Sequence, residues 1–152
     1  MGAKTIPEGF HCITPYLGIQ KAAEAIEFYK KAFNATEVMR LPMPDGSVGH
    51  AELRINDFPI MLGTPCDQGP LRNPDASPSV GLHLYVEDVD SAFAQAIDAG
   101  GTVISEVKDQ FYGDRTGSLK DPYGHVWFLA THKEDLTQEQ IEQRAREMFQ
   151  SG

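Results

Sequence analysis

The side chains best suited to chemistry in this chain are two histidines and one carboxylate: His50, Glu52 and His83. Imidazole nitrogens and carboxylate oxygens are common ligands of divalent metals, and the same groups serve as general acids and bases. Because His50 and Glu52 are two positions apart, both side chains would point to the same face of a β-sheet. The three residues are therefore candidates for a three-ligand metal site, or for acid–base catalysis by Glu52 with His83.

Each candidate also has a structural interpretation. His50 and Glu52 can be rim residues or hydrogen-bond partners, and His83 can be a neutral ring that is hydrogen-bonded inside the fold. The sequence contains no Gly-x-Ser-x-Gly elbow and no glycine-rich phosphate loop with a lysine. Catalytic residues are therefore unknown from sequence, with Glu52 and His83 as the candidates.

The elements that must position these residues occur twice. One set of features runs from about residue 10 to 64 and returns from about 80 to 131, with Thr14 aligned to Gly81 and Met61 to Phe128. Each copy is too small to bury its own apolar face, so the two copies imply one domain that is built by pairing them, with a cavity where they meet. The domain is expected to span 1–152.

Hydrophobic periodicity gives the order of elements in each copy. A strand, a helix, a short strand and a closing hairpin are predicted at 11–17, 21–32, 38–41 and 49–63, and again at 80–86, 88–99, 102–107 and 113–130. The prolines of segment 65–79 favour an extended linker. A capping box at 137–140 predicts a C-terminal helix over 137–150, which would pack on its own domain or on a partner subunit.

Strand alternation assigns the residues of both hairpins to faces. A two-residue turn at Asn56-Asp57 pairs Glu52 with Met61 on the face away from the helix. A turn at Tyr123-Gly124 places Leu119 beside Phe128 on the corresponding face of the second copy. Gly117 and Arg115 would follow Leu119 on that face, and Trp127 would lie on the helix side.

Composition excludes several classes of partner. The formal net charge is −9, which disfavours nucleic acid and anionic membranes as partners because both are negatively charged. No apolar run is long enough to span a bilayer, and we expect a cytoplasmic protein. Cys12 and Cys66 are too few for a disulfide framework, and we expect one of them to be a buried core thiol.

Four motifs make the chain similar to the vicinal oxygen chelate superfamily, also called the glyoxalase/bleomycin resistance/dioxygenase family. The motifs are Thr14-Pro15-Tyr16-Leu17, the run 25–33, the run 86–90 and Asp121-Pro122-Tyr123-Gly124-His125. The run 113–127 resembles the glyoxalase-like subgroup found beside phosphonate-utilisation proteins. This resemblance implies an α+β fold with two tandem βαβββ modules that form a half-open, barrel-like cup, usually completed in a homodimer that sometimes exchanges modules.

The same resemblance implies where a metal would be held. Enzymes of the family use one ligand from each opening strand and one from each closing strand, and these positions fall on Thr14, Gly81, Met61 and Phe128. Only the Thr14 hydroxyl resembles a usual donor, because divalent ions prefer carboxylates and imidazoles. The sequence therefore predicts no metal and no other cofactor.

The favoured function is the metal-free binding of a small, planar or anionic molecule in the cup. Arg115 is either a clamp for a carboxylate or phosphonate, or the partner of Asp114 or Glu52 in an ion pair. The aromatic side chains either stack on a planar ligand or fill the cup. The predicted ligand-binding residues are Thr14, Tyr16, His50, Glu52, Met61, His83, Tyr85, Arg115 and Phe128. The alternative is a glyoxalase-like or fosfomycin-resistance-like lyase, isomerase or transferase that uses His50, Glu52 and His83 as metal ligands.

Overall fold

The computed structural model describes residues 2–151, which form two compact units. One unit contains the chain up to Pro78 together with Pro122–Gly124, and the other contains Ser79–Asp121 and the chain from His125 onward. Each unit holds one four-stranded open sheet. The predicted α+β class with two βαβββ modules and a C-terminal helix is confirmed.

The first unit places its single helix against a mixed sheet. Strand β1 is parallel to β4, while β2, β3 and β4 are antiparallel, in the order β1-β4-β3-β2. The element bounds are β1 Tyr16–Gly18, α1 Ala22–Phe33, β2 Thr36–Pro42, β3 Val48–Ile55 and β4 Phe58–Gly63.

The second unit repeats this topology and adds a terminal helix. Its strands have the order β5-β8-β7-β6, with β5 parallel to β8. The element bounds are β5 Gly81–Tyr85, α2 Val89–Ala99, β6 Thr102–Asp109, β7 Asp114–Lys120, β8 Val126–His132 and α3 Gln138–Ser151.

Apolar spacing explains how α1 packs on its sheet. Ile26 and Tyr29, which are three positions apart and so lie on one side of the helix, are fully buried, and Leu53 of β3 is buried as well. The helix ends at Asn34, which adopts a left-handed conformation (φ 57°) and donates its backbone N–H to the Tyr29 carbonyl. The core of this unit therefore lies on one face of the sheet, and the opposite face is left without a helix from this unit.

The first hairpin has the predicted two-residue turn. Asn56 and Asp57 both have positive φ angles, 48° and 65°, as a type I′ turn requires. Glu52 is therefore opposite Met61, and both side chains lie on the face away from α1. The predicted register of β3 and β4 is confirmed.

The second hairpin differs from the prediction by one residue. Ser118, not Leu119, is opposite Phe128, and Leu119 is opposite Trp127. A five-residue connection, 121–125, joins the strands instead of a two-residue turn. The predicted positions of Leu119, Gly117 and Arg115 on the face away from α2 are therefore wrong, because a shift of one residue moves every side chain of a strand to the other face.

Asp121 holds this longer connection in place. Its backbone N–H donates to the His125 carbonyl at 2.9 Å, and its carboxylate accepts from the His125 backbone N–H and the Trp127 indole N–H, both at 3.0 Å. Asp121 and Trp127 are both buried. Trp127 is thus a core residue, as its predicted position on the helix side requires.

The C-terminal helix begins with the predicted capping box. Thr137 Oγ1 accepts from the Gln140 backbone N–H at 3.2 Å, and Gln140 Oε1 accepts from the Thr137 backbone N–H at 2.9 Å. None of the residues of α3 is buried, and Arg144 ties the helix to the Phe111 carbonyl and Glu134. Within residues 2–151, no helix is long and apolar enough to cross a membrane.

Asp121→Ala is expected to lower the free energy of unfolding by about 3 kcal/mol, because it leaves the buried Trp127 N–H and the His125 N–H without their acceptor. Urea unfolding followed by Trp127 fluorescence measures the change. Asp75→Ala, in an exposed stretch, is the matched control and should change the stability by less than about 0.5 kcal/mol. Equal effects of the two variants would show that Asp121 does not fix the hairpin.

Candidate functional site

The face of the first sheet that turns away from α1 collects the residues predicted for this half of the site. Tyr16 and Glu52 are both register partners of Met61, and His50 is two positions before Glu52 on β3. Paired and alternate residues share a face, so Tyr16, His50, Glu52 and Met61 lie together. Thr14 precedes β1 and is part of no strand.

A hydrogen-bond chain links three of these side chains. The Tyr16 hydroxyl is 2.8 Å from Nδ1 of His50, and Nε2 of His50 is 3.2 Å from Oε1 of Glu52. The side chains of His50 and Glu52 are 23% and 19% exposed. For an ionised Glu52 and a neutral His50, one assignment satisfies both contacts: Nε2–H donates to Glu52, because an ionised carboxylate only accepts, and Nδ1 accepts the Tyr16 proton.

A cavity of about 460 Å³ opens beside Tyr16. Gly49 and Gly63 line it from the sheet, and residues 64–66 and 69–71 line it from the linker. The two glycines come close together, since a Cβ on Gly63 would lie 2.6 Å from the Gly49 carbonyl oxygen. The wall is mainly apolar, with the Tyr16 ring on one side and Leu71 among the linker residues.

Arg72 gives the linker its compact shape. Its guanidinium donates to the backbone carbonyls of Cys66, Asp67, Gly69 and Leu71, at 3.3, 3.1, 2.6 and 3.0 Å. The prediction of an extended linker is therefore wrong for residues 66–72, which fold around one side chain. Sequence reasoning missed these lining residues, although an arginine within a run rich in proline and glycine is a signal for such a loop.

Cys66 brings a thiol to the cavity wall. Both Cys66 and Cys12 are free and exposed, so the expectation of a buried core thiol is wrong. Only Cys66 is among the residues that line the cavity. The two thiols therefore differ in position but not in oxidation state.

In the second unit, the corresponding face of the sheet carries a group of aromatic rings. The His83 ring lies 4.8 Å from the Tyr85 ring and 6.2 Å from the Phe128 ring, between centroids. A Cβ on Gly81 would be 2.6 Å from Cε2 of Phe128, so the Phe128 ring occupies the space left by the missing side chain. Tyr85 and Phe128 are 56% and 41% exposed.

A second polar chain lies next to these rings. Buried Asp114 accepts from the Tyr85 hydroxyl at 3.0 Å and from Nδ1 of His132 at 2.7 Å, while Nε2 of His132 is 2.8 Å from Oδ1 of exposed Asp135. The hydrogen bond to Asp114 raises the pKa of Tyr85. Sequence reasoning did not identify His132, and it considered Asp114 as a partner of Arg115.

Arg115 forms an ion pair, but not with the predicted partners. Its guanidinium donates two hydrogen bonds to Asp90, at 2.8 and 2.9 Å, and one to Asp109 at 3.1 Å. The bidentate contact lowers the pKa of Asp90. The predicted partners Asp114 and Glu52 are therefore wrong, and Arg115 lies on the side of α2 because of the changed register of β7.

The residues at the four positions of the implied metal site do not fit a divalent ion. Met61 offers a thioether, Phe128 a ring and Gly81 no side chain, while divalent ions prefer oxygen and imidazole donors. Within the described part of the chain, no three His, Cys, Asp or Glu side chains are grouped as a metal ion would require. His50 and Glu52 are already hydrogen-bonded to each other.

A family model matches most of this chain. The model of the Glyoxalase/Bleomycin resistance protein/Dioxygenase superfamily matches residues 10–129. An uncharacterized protein of Mycobacterium tuberculosis is 42% identical over 135 residues, which are 86% of this chain and 79% of the relative.

Solved structures show the same fold at lower sequence identity. The PhnB protein of Bacillus cereus is 22% identical with a TM-score of 0.63, over 80% of this chain and 99% of its own. The fosfomycin resistance protein FosX of Listeria monocytogenes is 16% identical with a TM-score of 0.62, over 86% of this chain and 97% of its own.

We expect His132 to titrate above the ordinary histidine pKa, because Asp114 and then Asp135 stabilise its charged form. The folded pKa is thus higher than the unfolded one, near 6.5. The resulting stabilisation is complete below the unfolded pKa and is lost as the pH rises through the folded pKa. An NMR titration of the His132 ring measures this pKa. Asp135→Asn should lower it, and a His132 that titrates at or below the ordinary value would contradict the assignment.

Proposed function

We propose that this chain, which belongs to the glyoxalase/bleomycin resistance protein/dioxygenase superfamily, binds a small planar molecule without a divalent metal. The observation that carries this proposal is the cavity beside Tyr16. Its volume of about 460 Å³ lies within the range of small-molecule sites, which is roughly 300 to 1,000 Å³. Its composition also suits a ligand, because a mainly apolar wall is combined with a few polar side chains, those of Tyr16, Thr64 and Cys66.

A planar ligand suits this cavity for two reasons. Tyr16 is 43% exposed, so part of its ring is accessible for stacking, which favours flat aromatic partners. The loop of residues 66–72 is held by four hydrogen bonds from Arg72, so the opposite wall is formed before a ligand arrives. A wall that is already ordered lowers the entropic cost of binding.

The absence of a metal is also part of the proposal. A metal-dependent lyase, isomerase or transferase would need His50 and Glu52 to exchange their mutual hydrogen bond for bonds to an ion. The four positions implied by the family offer an ion almost no donors. Metal-free binding is therefore favoured over the metal-dependent alternative.

The expected homodimer and cytoplasmic location stay proposals as well. The superfamily resemblance supports the homodimer. The net charge of −9 supports a partner other than nucleic acid or an anionic membrane surface. Binding in the cavity depends on neither the homodimer nor the cytoplasmic location, because the described residues that line the cavity all belong to the first unit.

The two cysteines provide a direct test of cavity binding. We expect a planar probe such as 2-naphthol to slow the alkylation of Cys66 by iodoacetamide, because a molecule in the cavity covers this thiol. Cys12 is exposed and outside the cavity, so its alkylation rate should not change and serves as an internal control. Peptide mass spectrometry over time measures both rates in one sample.

Two variants complete this test. Cys66→Trp should fill part of the cavity and weaken the binding of 2-naphthol, whereas Cys12→Trp should not, as measured by calorimetry. The cavity proposal fails if none of three planar probes, 2-naphthol, 2-methoxynaphthalene and 2-naphthoate, protects Cys66 at the highest concentration at which each is soluble. It also fails if both thiols are protected equally.

Metal content tests the second part of the proposal. Protein purified without a histidine tag should contain far less than one equivalent of zinc, nickel, manganese or iron by elemental analysis. A chelator should leave the thermal midpoint unchanged, because a bound metal stabilises the folded state and its removal lowers this midpoint. A stoichiometric metal that is lost in His83→Ala or Glu52→Ala would instead establish the metal-dependent alternative.

A further inference from the structure

The direction of the hydrogen bonds in the Tyr16–His50–Glu52 chain determines what the cavity can recognise. A neutral imidazole has one donor and one acceptor nitrogen. Glu52 requires a donor from Nε2, so Nδ1 is the acceptor and the Tyr16 O–H must point to His50. The donor of Tyr16 is thereby used inside the protein, and only lone pairs of its oxygen are left for a ligand.

The charges in and around the cavity also disfavour a negatively charged ligand. None of the described lining residues is basic. Arg72 is the cation next to them in sequence, and its guanidinium donates to four backbone carbonyls of the linker. The Glu52 carboxylate lies two hydrogen bonds from the Tyr16 oxygen, so the ionic group nearest to Tyr16 along this chain is an anion. A carboxylate in the cavity would lose water without gaining a cation as its partner.

Arg115 does not supply the missing cation. It is the residue that the sequence offers as an anion clamp, but Asp90 and Asp109 occupy its guanidinium. It also lies on the side of its sheet that packs against α2. The polar side chains that line the cavity are those of Tyr16, Thr64 and Cys66, so the cavity offers hydroxyl and thiol groups and no cation.

We propose that the cavity selects uncharged planar molecules that carry a hydroxyl or N–H donor, which binds the Tyr16 hydroxyl oxygen, and that it discriminates against carboxylates. This inference deepens the proposed function and rests on it. It narrows the proposed ligand class from planar molecules to planar, neutral molecules that carry a hydrogen-bond donor. It also assigns Glu52 a role as a positioning residue, since Glu52 acts on the ligand only through His50 and Tyr16.

Three naphthalene derivatives of similar shape test the proposal. 2-Naphthol has a donor, 2-methoxynaphthalene has only an acceptor and 2-naphthoate has a negative charge. At slightly alkaline pH, where a free imidazole is neutral, we expect 2-naphthol to bind about fivefold more tightly than 2-methoxynaphthalene, which corresponds to one hydrogen bond. We expect 2-naphthoate to bind most weakly. Calorimetry and Cys66 protection give the order.

Two variants test whether the Tyr16–His50–Glu52 hydrogen-bond chain causes this order of affinities. Tyr16→Phe removes the acceptor, so 2-naphthol should lose its fivefold advantage while 2-methoxynaphthalene keeps its affinity. In Glu52→Gln, the side-chain amide can either donate to or accept from His50, so the direction of the chain is no longer fixed and the preference for a donor should fall. Tyr112→Phe and Glu106→Gln, in the other unit, are the matched controls and should keep the wild-type order.

The outcomes separate the two proposals. If none of the three probes protects Cys66, cavity binding itself is wrong, and this inference falls with it. If all three bind equally, or 2-naphthoate binds best, the cavity binds ligands but the inferred direction of the hydrogen-bond chain is wrong. If the wild-type order persists in Tyr16→Phe, the preference has another origin and the inference is also wrong.

Discussion

The register of strand pairing in the two closing hairpins is the constraint on which the positions of the functional side chains depend. In the first hairpin, Glu52 is opposite Met61, nine positions later, while in the second, Ser118 is opposite Phe128, ten positions later. This one-residue difference in the spacing of paired residues reverses the face of every residue on β7 relative to an exact repeat of β3. The halves therefore share a topology but not a set of exposed side chains.

This difference explains how far the fold could be predicted from the sequence. Alternation and the Asn56-Asp57 turn predicted the β3–β4 register correctly, because positive φ angles at both residues define a two-residue turn. The second register depends on Asp121, whose backbone and carboxylate bind His125 and Trp127 across the connection. These contacts are formed by tertiary packing and have no periodic signature. The face predicted for Arg115 was wrong because it was derived from a register without these contacts.

The candidate site was predictable to a similar degree. The sequence grouped Tyr16, His50, Glu52 and Met61 on one face, because strand parity is a local property. It did not reveal the cavity, because the linker's proline and glycine content suits an extended and a compact loop equally well. The contacts of Arg72 with four carbonyls decide between these loops, and they exist only once the loop has closed.

The two polar chains differ in the group that lies at their centre. In the second unit, the carboxylate of Asp114 is central and accepts from both Tyr85 and His132, and His132 also meets Asp135. Both nitrogens of His132 must then donate, so this chain holds a cation between two anions and satisfies it internally. In the first unit, the imidazole of His50 is central, and a neutral imidazole carries one proton between two oxygens. Its orientation leaves an acceptor on Tyr16 at the edge of a cavity, whereas the Phe128 ring fills the space beside Gly81 in the second unit. The two units thus share a strand topology, while the side chains that form each polar chain differ in kind and in order.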